Sequence, residues 1–271
     1  MTDKPSLLSD FWWLLKNVTI EDLLVGVGHH QEVADNEDVP PLDDWYRSLD
    51  QEGYPSNDIQ HYPINFLNKW RSAFKNTNVY RTLKVFDQKT KEATLLGPFL
   101  IDIDNSIGDN CYRENLNDAQ AVTRQVVTYL VKRLRLSLQD FRIFFSGRKG
   151  FNVEIRPEAI GINGSVPDQI RLSNSKLNNL IDYLRSKNKV QNSRKNAVSN
   201  QGTVIDRIYG DRFNGYTLKH PCVRLHGSIN RWIGGDGKAV ARRKIEITPD
   251  QLWEMSAKAI SDESEKLARI L

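Results

Sequence analysis

The stretch FLIDIDN, residues 99–105, is a short apolar run that carries two carboxylates, Asp102 and Asp104. In a strand, successive side chains point to opposite faces. The phenylalanine and both isoleucines are therefore predicted to face a core, with both aspartates on the other face. Two like charges one pleat apart repel each other unless a cation lies between them. Hard oxygen ligands suit Mg²⁺ or Mn²⁺, so the stretch predicts a metal-binding strand, and a solvated strand end is the alternative.

The composition is that of an ordinary globular chain, with 271 residues, 39% hydrophobic and 27% charged. No apolar stretch approaches the ~20 residues of a membrane helix, so no membrane partner is expected. The start, MTDKPSLLSDFWWLLKN, contains acids and no small-residue cleavage site, so we do not expect a signal peptide. Cys111 and Cys222 form no CxxC pattern, which favours a reducing cytoplasm and predicts no structural zinc.

Charge is distributed unevenly along the chain. The first 70 residues hold 4 basic and 13 acidic side chains, a balance of −9, and the remainder holds 34 and 21, a balance of +13. The positive balance of residues 71–271 indicates an anionic binding partner, with nucleic acid as the leading candidate. A merely solvated surface remains the alternative.

Two regions are predicted from the hydrophobic patterns. Residues 1–75 show helical spacing over 6–26 and 64–74, which predicts a helical N-terminal subdomain packed on a core formed by residues 76–271. The overall class is then α/β (α+β). The elements predicted in the core are a strand over 79–86, a helix over 117–136, a hairpin over 141–155, a helix over 168–185, a strand over 203–210 and a helix capped by Thr248.

The hairpin FRIFFSGRKGFNVEI has a basic tip between two glycines, Gly147 and Gly150. Glycine permits backbone conformations closed to other residues and lets amide groups approach a ligand. Together with Arg148, Lys149 and the hydroxyl of Ser146, these amides form a candidate phosphate cradle. A simple solvated hairpin tip is the alternative.

A third acid lies in TVIDRIYG, where Asp206 interrupts an apolar run and therefore needs a partner or a metal. The following segment, KHPCVRLHGSINRWIGGDG, places several polar and basic side chains before a glycine-rich turn. They are Arg224, His226, Ser228, Asn230 and Arg231.

Taken in order, DID, SGRKGFN, and VID followed by RLHGSINRWIGG resemble the motifs of the archaeo-eukaryotic primases (AEP) and primase-polymerases, specifically their catalytic small subunit. The resemblance covers roughly residues 79–240. It implies an AEP-type core with an RRM-like sheet carrying three acids, Asp102, Asp104 and Asp206, which hold two Mg²⁺ or Mn²⁺ ions. It also implies nucleotide binding by Ser146, Gly147, Arg148, Lys149, Asn152, Arg224, His226, Ser228 and Asn230.

Several positions depart from the family pattern. Asn152 and Asn230 stand where the family has histidines, and His226 stands where a proline is usual. Asparagine donates a hydrogen bond but adds no charge, so nucleotide binding is expected to be weaker or differently tuned. The family's zinc-binding insertion has no cysteine set here, and no helicase-like P-loop is present. The chain is thus expected to be a stand-alone core or a subunit that needs an accessory protein or helicase.

The predicted activity is that of a DNA primase or polymerase, a template-dependent nucleotidyltransferase. It would join incoming NTPs or dNTPs to a 3′-hydroxyl on a single-stranded DNA template. Two alternatives remain open. A catalytically weak nucleotide or nucleic-acid binding module fits the two asparagines, and a metal-dependent nuclease also uses clustered acids. A nuclease needs no triphosphate cradle, so the hairpin argues against it.

Overall fold

The computed structural model describes residues 11–13, 23–30, 60–63, 78–87, 93–95, 98–105, 116–160, 179–180, 182–183, 203–209, 222–233 and 239–269. The predicted helix over 64–74 and most of the one over 168–185 lie outside these residues. Residues 179–180 and 182–183 of the latter segment are helical.

The described chain is a mixed α+β fold whose paired strands are antiparallel. Its strands are β1 (Leu23–His30), β2 (Gln60–Pro63), β3 (Asn78–Asp87), β4 (Ala93–Leu95), β5 (Phe99–Asn105), β6 (Phe141–Phe145), β7 (Gly150–Ile155), β8 (Thr203–Tyr209), β9 (Cys222–Arg224), β10 (Ile229–Ile233), β11 (Ala239–Arg243) and β12 (Ile245–Ile247). Its α-helices are α1 (Leu116–Lys132), α2 (Pro249–Glu254) and α3 (Ala257–Arg269). The predicted strands and hairpin of the core are therefore confirmed.

The strands form two larger sheets and a ribbon. The central sheet has five strands in the order β12-β6-β7-β5-β8. The second sheet has the order β2-β1-β3-β4, with β9 also paired to β3, and β10 pairs with β11 alone. Helix α1 connects β5 to β6, and the helical residues around 180 lie between β7 and β8 in the chain.

The main hydrophobic core lies between one face of the central sheet and the three helices. The sheet contributes side chains from alternate positions of its strands, as the period-two patterns predicted. These include Phe99, Ile101 and Ile103 of β5, Phe141, Ile143 and Phe145 of β6, and Phe151, Val153 and Ile155 of β7. Because this face is used for the core, the polar side chains of the same strands lie on the opposite face.

Two predicted helices have different ends in the structure. Helix α1 stops at Lys132 instead of residue 136, and Arg135 beyond it adopts a left-handed backbone with φ of 56°. Thr248 is the N-cap predicted, and it forms a capping box with Gln251. The C-terminal segment then breaks at Met255, whose backbone is extended, so it forms two helices instead of one.

Part of the N-terminal prediction is wrong. Residues 23–26, predicted as the end of a helix, belong to strand β1. The run Val25-Gly26-Val27-Gly28 also fits a strand, and pairing with the long strand β3 decides between the two. Since β1 lies in the predicted N-terminal subdomain and β3 in the predicted core, one sheet contains strands from both; the boundary near residue 75 stays a prediction.

Candidate active site

The two acids of β5 lie on the face of the central sheet opposite the main core. Asp102 and Asp104 are half-buried, whereas Ile101 and Ile103 on the other face are completely buried. This arrangement confirms the alternation predicted from the sequence. A pair of carboxylates on one strand face supplies hard oxygen donors, which fits a divalent cation such as Mg²⁺ or Mn²⁺.

Asp102 is hydrogen-bonded across the sheet. It lies opposite Asn152 of β7, whose Nδ2 donates to Asp102 Oδ1 over 2.6 Å. Asn152 is only 6% exposed and lies opposite Phe144 on its other side. The residue predicted as a phosphate ligand is thus in direct contact with one of the predicted metal ligands.

The third predicted acid occupies an irregular position in β8. Arg207 lies opposite Asp102 and Ile205 lies opposite Ile103, so Asp206 is the extra residue at a bulge. Bulges bend a strand and re-aim its side chains, and they are frequent next to active sites. The backbone of Asp206 therefore reaches the level of Asp102, while its side chain lies outside what the structure describes. The next acid along the chain, Asp211, is the alternative third acid, and it also lies outside the described residues.

The hairpin tip lies beside the acids because Asp104 pairs with Gly150. Within the tip, Ser146 N donates to the carbonyl of Gly150 over 2.9 Å, and Gly150 N donates to Ser146 Oγ over 3.3 Å. Gly147 has a φ of 85° and packs against the backbone of Arg243. Both glycines therefore make close contacts within the protein, in addition to the phosphate contact predicted for them.

Basic side chains border this tip. Arg148 and Lys149 are half-buried within it, and the guanidinium of Arg224 donates to the carbonyl of Ser146. Arg224 ends β9, so this bond joins the second sheet to the hairpin. Three basic side chains predicted to bind phosphate thus lie in or against the tip, whose Gly150 pairs with Asp104 of β5.

The turn between β9 and β10 brings the last motif to the same region. His226 Nε2 accepts the amide hydrogen of Glu246 over 3.3 Å, and its ring and that of Phe144 make an edge-type contact at a centroid distance of 5.6 Å. The hydroxyl of Ser228 is buried and has no hydrogen-bond partner among the described residues. Asn230 is 2% exposed and pairs with Arg242 across the ribbon.

A buried ionic cluster also lies on the acid-bearing face, and sequence reasoning missed it. Lys244 Nζ lies 3.0 Å from Glu154 Oε1, and a guanidinium nitrogen of Arg81 lies 3.5 Å from Oε2; all three side chains are 1% exposed. Trp12 Nε1 donates to the same carboxylate over 3.3 Å. A signal was present in the sequence, because Arg81 shares a predicted strand face with Val79, Leu83 and Val85, and a charge on such an apolar face needs a counter-charge.

The cluster sets the ionisation of Glu154. Burial alone would raise the pKa of this carboxyl, but the charges of Lys244 and Arg81 and the hydrogen bonds from Lys244 and Trp12 outweigh burial, so the pKa lies below its usual value. Burial lowers the pKa of Lys244, and the ion pair with Glu154 opposes that effect. Lys244 Nζ also lies 4.4 Å from the ring centroid of Phe144, and this cation–π contact favours the charged form of the lysine.

Among the residues described, no group of three or more His, Cys, Asp or Glu side chains is placed to hold a metal ion. Within the same residues, no helix combines the length and apolar character required to cross a bilayer. No protein-family model matches the chain, and no curated protein matches it. The likeness to the primases remains a prediction from the motifs.

Proposed function

We propose that this protein is a metal-dependent nucleotidyltransferase of the primase-polymerase type. The observation that carries the proposal is the pairing of the acid-bearing strand β5 with the hairpin strand β7. In this pairing Asp104 lies opposite Gly150, and Asp102 lies opposite Asn152. A reaction on a nucleoside triphosphate requires cation ligands beside a phosphate-binding loop. The register of β5 and β7, which puts the two acids beside the hairpin tip, supports assigning these two roles to them.

The topology of the central sheet supports the proposal. Strands β5 to β8 are arranged in the order β6-β7-β5-β8, with α1 between β5 and β6 and helical residues between β7 and β8. This is the β-α-β-β-α-β sequence of elements found in ferredoxin-like and RRM-like folds. The AEP-type core that the motifs imply is proposed on this basis, with β12 as an added edge strand.

Asp102 and Asp104 are the proposed ligands of two Mg²⁺ or Mn²⁺ ions, together with Asp206 at the bulge of β8. When bound, such ions lower the pKa of an attacking 3′-hydroxyl and stabilise the leaving pyrophosphate. The chain's own part is to hold the carboxylates in place. Packing of Ile101 and Ile103 in the core fixes β5, so the acids on its other face are held rigidly.

The proposed triphosphate site comprises the hairpin tip and the turn between β9 and β10. Its residues are Ser146, Gly147, Arg148, Lys149, Arg224, His226, Ser228 and Asn230. The unpartnered buried hydroxyl of Ser228 supports this assignment, because a buried polar group without a partner is costly unless a ligand satisfies it. The basic side chains of Arg148 and Lys149, held at the tip, would stabilise the negative charge that develops as the α-phosphate is attacked.

Single-stranded DNA, as template and primer, is the proposed macromolecular partner, and an NTP or dNTP is the proposed substrate. Support comes from the balance of +13 over residues 71–271. An accessory subunit or a helicase is proposed as a further partner, as the resemblance to the primases implies.

The second candidate is a nucleotide or nucleic-acid binding module with little catalytic activity. One observation favours it: Ser146 and Asn152, two predicted phosphate ligands, both make hydrogen bonds within the protein. Such a module would bind nucleotide without transferring it.

A single assay separates the candidates. The protein is incubated with a primed single-stranded template, labelled dNTPs or NTPs, and Mn²⁺, with Asp102→Asn as a matched inactive control. We expect primer extension by the parent protein and none by the variant. Retention of label without extension would favour the binding module, and shortening of the primer in the parent alone would indicate a nuclease.

A further inference from the structure

We propose that Asn152 is a positioning residue that orients the carboxylate of Asp102 toward a divalent cation, and is not a ligand of the nucleotide phosphates. The inference rests on the proposed function, because it assumes that Asp102 binds the cation. It assigns Asn152 a role different from the one that the family motif implies for its position.

The geometry leaves Asn152 little freedom. It lies on β7, the middle strand of the central sheet, between Phe144 of β6 and Asp102 of β5. Its side chain is 6% exposed and its Nδ2 donates to Asp102 Oδ1 over 2.6 Å. Turning the amide toward a phosphate would break this short hydrogen bond in a nearly buried position, where the loss is costly.

The hydrogen bond has a chemical consequence for Asp102. A donor on Oδ1 fixes the plane of the carboxylate and thereby the direction of the lone pairs on both oxygens. Partners of this kind, one step removed from the metal, typically affect metal affinity 10–100-fold. Because an amide is neutral at every accessible pH, Asn152 orients the acid without repelling a cation.

The test uses the full chain, without nucleotide, and Mn²⁺ alone as the probe. Binding is followed by the loss of the electron paramagnetic resonance signal of free Mn²⁺. Asn152→Ala should weaken Mn²⁺ binding about 10–100-fold. Asn117→Ala, a substitution at an exposed position of α1, is the matched control and should leave the affinity unchanged.

A second variant keeps the proposal testable if Asn152→Ala does not fold. Asn152→Leu keeps the approximate size of the side chain but removes the donor, so it should weaken Mn²⁺ binding about 10–100-fold, whereas Asn152→Gln keeps an amide donor and should lose less. A purely structural role for residue 152 would not make Mn²⁺ affinity follow the presence of the donor. Equal Mn²⁺ affinities of Asn152→Leu and the parent would overturn the proposal.

Two further outcomes separate this inference from the proposed function. If Asp102→Asn loses Mn²⁺ binding while Asn152→Ala keeps it and instead weakens dATP binding in EDTA, Asn152 is a phosphate ligand. The inference then fails while the metal site stands. If the parent binds Mn²⁺ no better than Asp102→Asn, both the inference and the proposed metal site are wrong.

Discussion

Gly150 lies so close to the carbonyl of Ile103 that a Cβ built on it would be 1.9 Å from the carbonyl oxygen. The contact joins the base of the hairpin tip to the strand that carries both acids. Any side chain at residue 150 would therefore push β7 away from β5 at the level of Asp104.

Gly150→Ala is accordingly expected to destabilise the protein by about 3 kcal/mol or more, since the obstacle is backbone and a strand must move. Gly147→Ala should cost less, about 1–2 kcal/mol, because the main penalty there is the left-handed backbone at φ 85°. Urea unfolding of both variants measures the difference. Equal stability of Gly150→Ala and the parent would contradict the observed strand spacing.

Replacement of Asp102, Asp104 or Asp206 by Asn should each nearly abolish primer extension without unfolding the protein. The losses should not add in double variants, because ligands of one metal site act as a unit. Primer extension with Mn²⁺ measures activity, and thermal unfolding checks the fold. Near-normal activity of Asp206→Asn would show that the third acid is misassigned, and Asp211 would be tested next.

The buried ionic cluster predicts an asymmetric response to substitution. Glu154→Gln leaves Lys244 buried without its counter-charge and takes one charged partner from Arg81, so it should cost about 3–5 kcal/mol. Replacing all three by apolar residues, as Arg81→Met, Glu154→Leu and Lys244→Met, should cost much less than the single change. The unfolding free energies of the single and the triple variant, each compared with the parent, test this prediction. A larger loss of stability in the triple variant would contradict it.

The same cluster predicts a dependence on pH. Because the folded-state pKa of Glu154 lies below its usual 4.5, its ionisation contributes fully to stability above pH 4.5. That contribution declines as the pH falls from 4.5 through the folded-state pKa. The difference in unfolding free energy between the parent and Glu154→Gln should shrink over this acid range. A constant difference down to pH 2 would show that the ionised carboxylate is not what stabilises the cluster.

Binding of single-stranded DNA should weaken steeply with salt, because contacts to phosphates release counterions. Fluorescence anisotropy with a labelled oligonucleotide between 50 and 200 mM salt measures the slope, which should be roughly −0.7 per phosphate contacted. The matched variant is Lys149→Gln at the hairpin tip, which should reduce the slope by at most one contact. A flat response in the parent would remove nucleic acid as the main partner.

The parts of the fold that follow from local patterns were predictable from the sequence. Strand β5 and the hairpin β6–β7 show clear alternation, and Thr248 with Gln251 marks the start of α2 by its capping box. The strand character of residues 23–26 was not predictable, because it depends on pairing with β3 more than fifty residues later in the chain. Local spacing carries no information about such a partner.

The candidate site likewise combines features that follow from local sequence patterns with features that depend on the pairing of distant strands. The alternation in FLIDIDN placed Asp102 and Asp104 together on one face, as the structure has them. The contact of Asn152 with Asp102 depends on the register of β5 against β7, which the sequence of either strand alone does not specify. The cluster around Glu154 likewise joins residues 81, 154 and 244, so only the assembled sheets reveal it.

Pairing of β12 with β6 has a consequence for synthesis on the ribosome. Ile245 pairs with Phe145, about 100 residues earlier in the chain, so β6 lacks its outer neighbour until residues 245–247 have been made. At ordinary translation speeds that interval is roughly 5–20 s. During it the nascent chain presents the edge of FRIFF, a phenylalanine-rich segment prone to intermolecular pairing, and Arg142 within it is the charge that opposes aggregation.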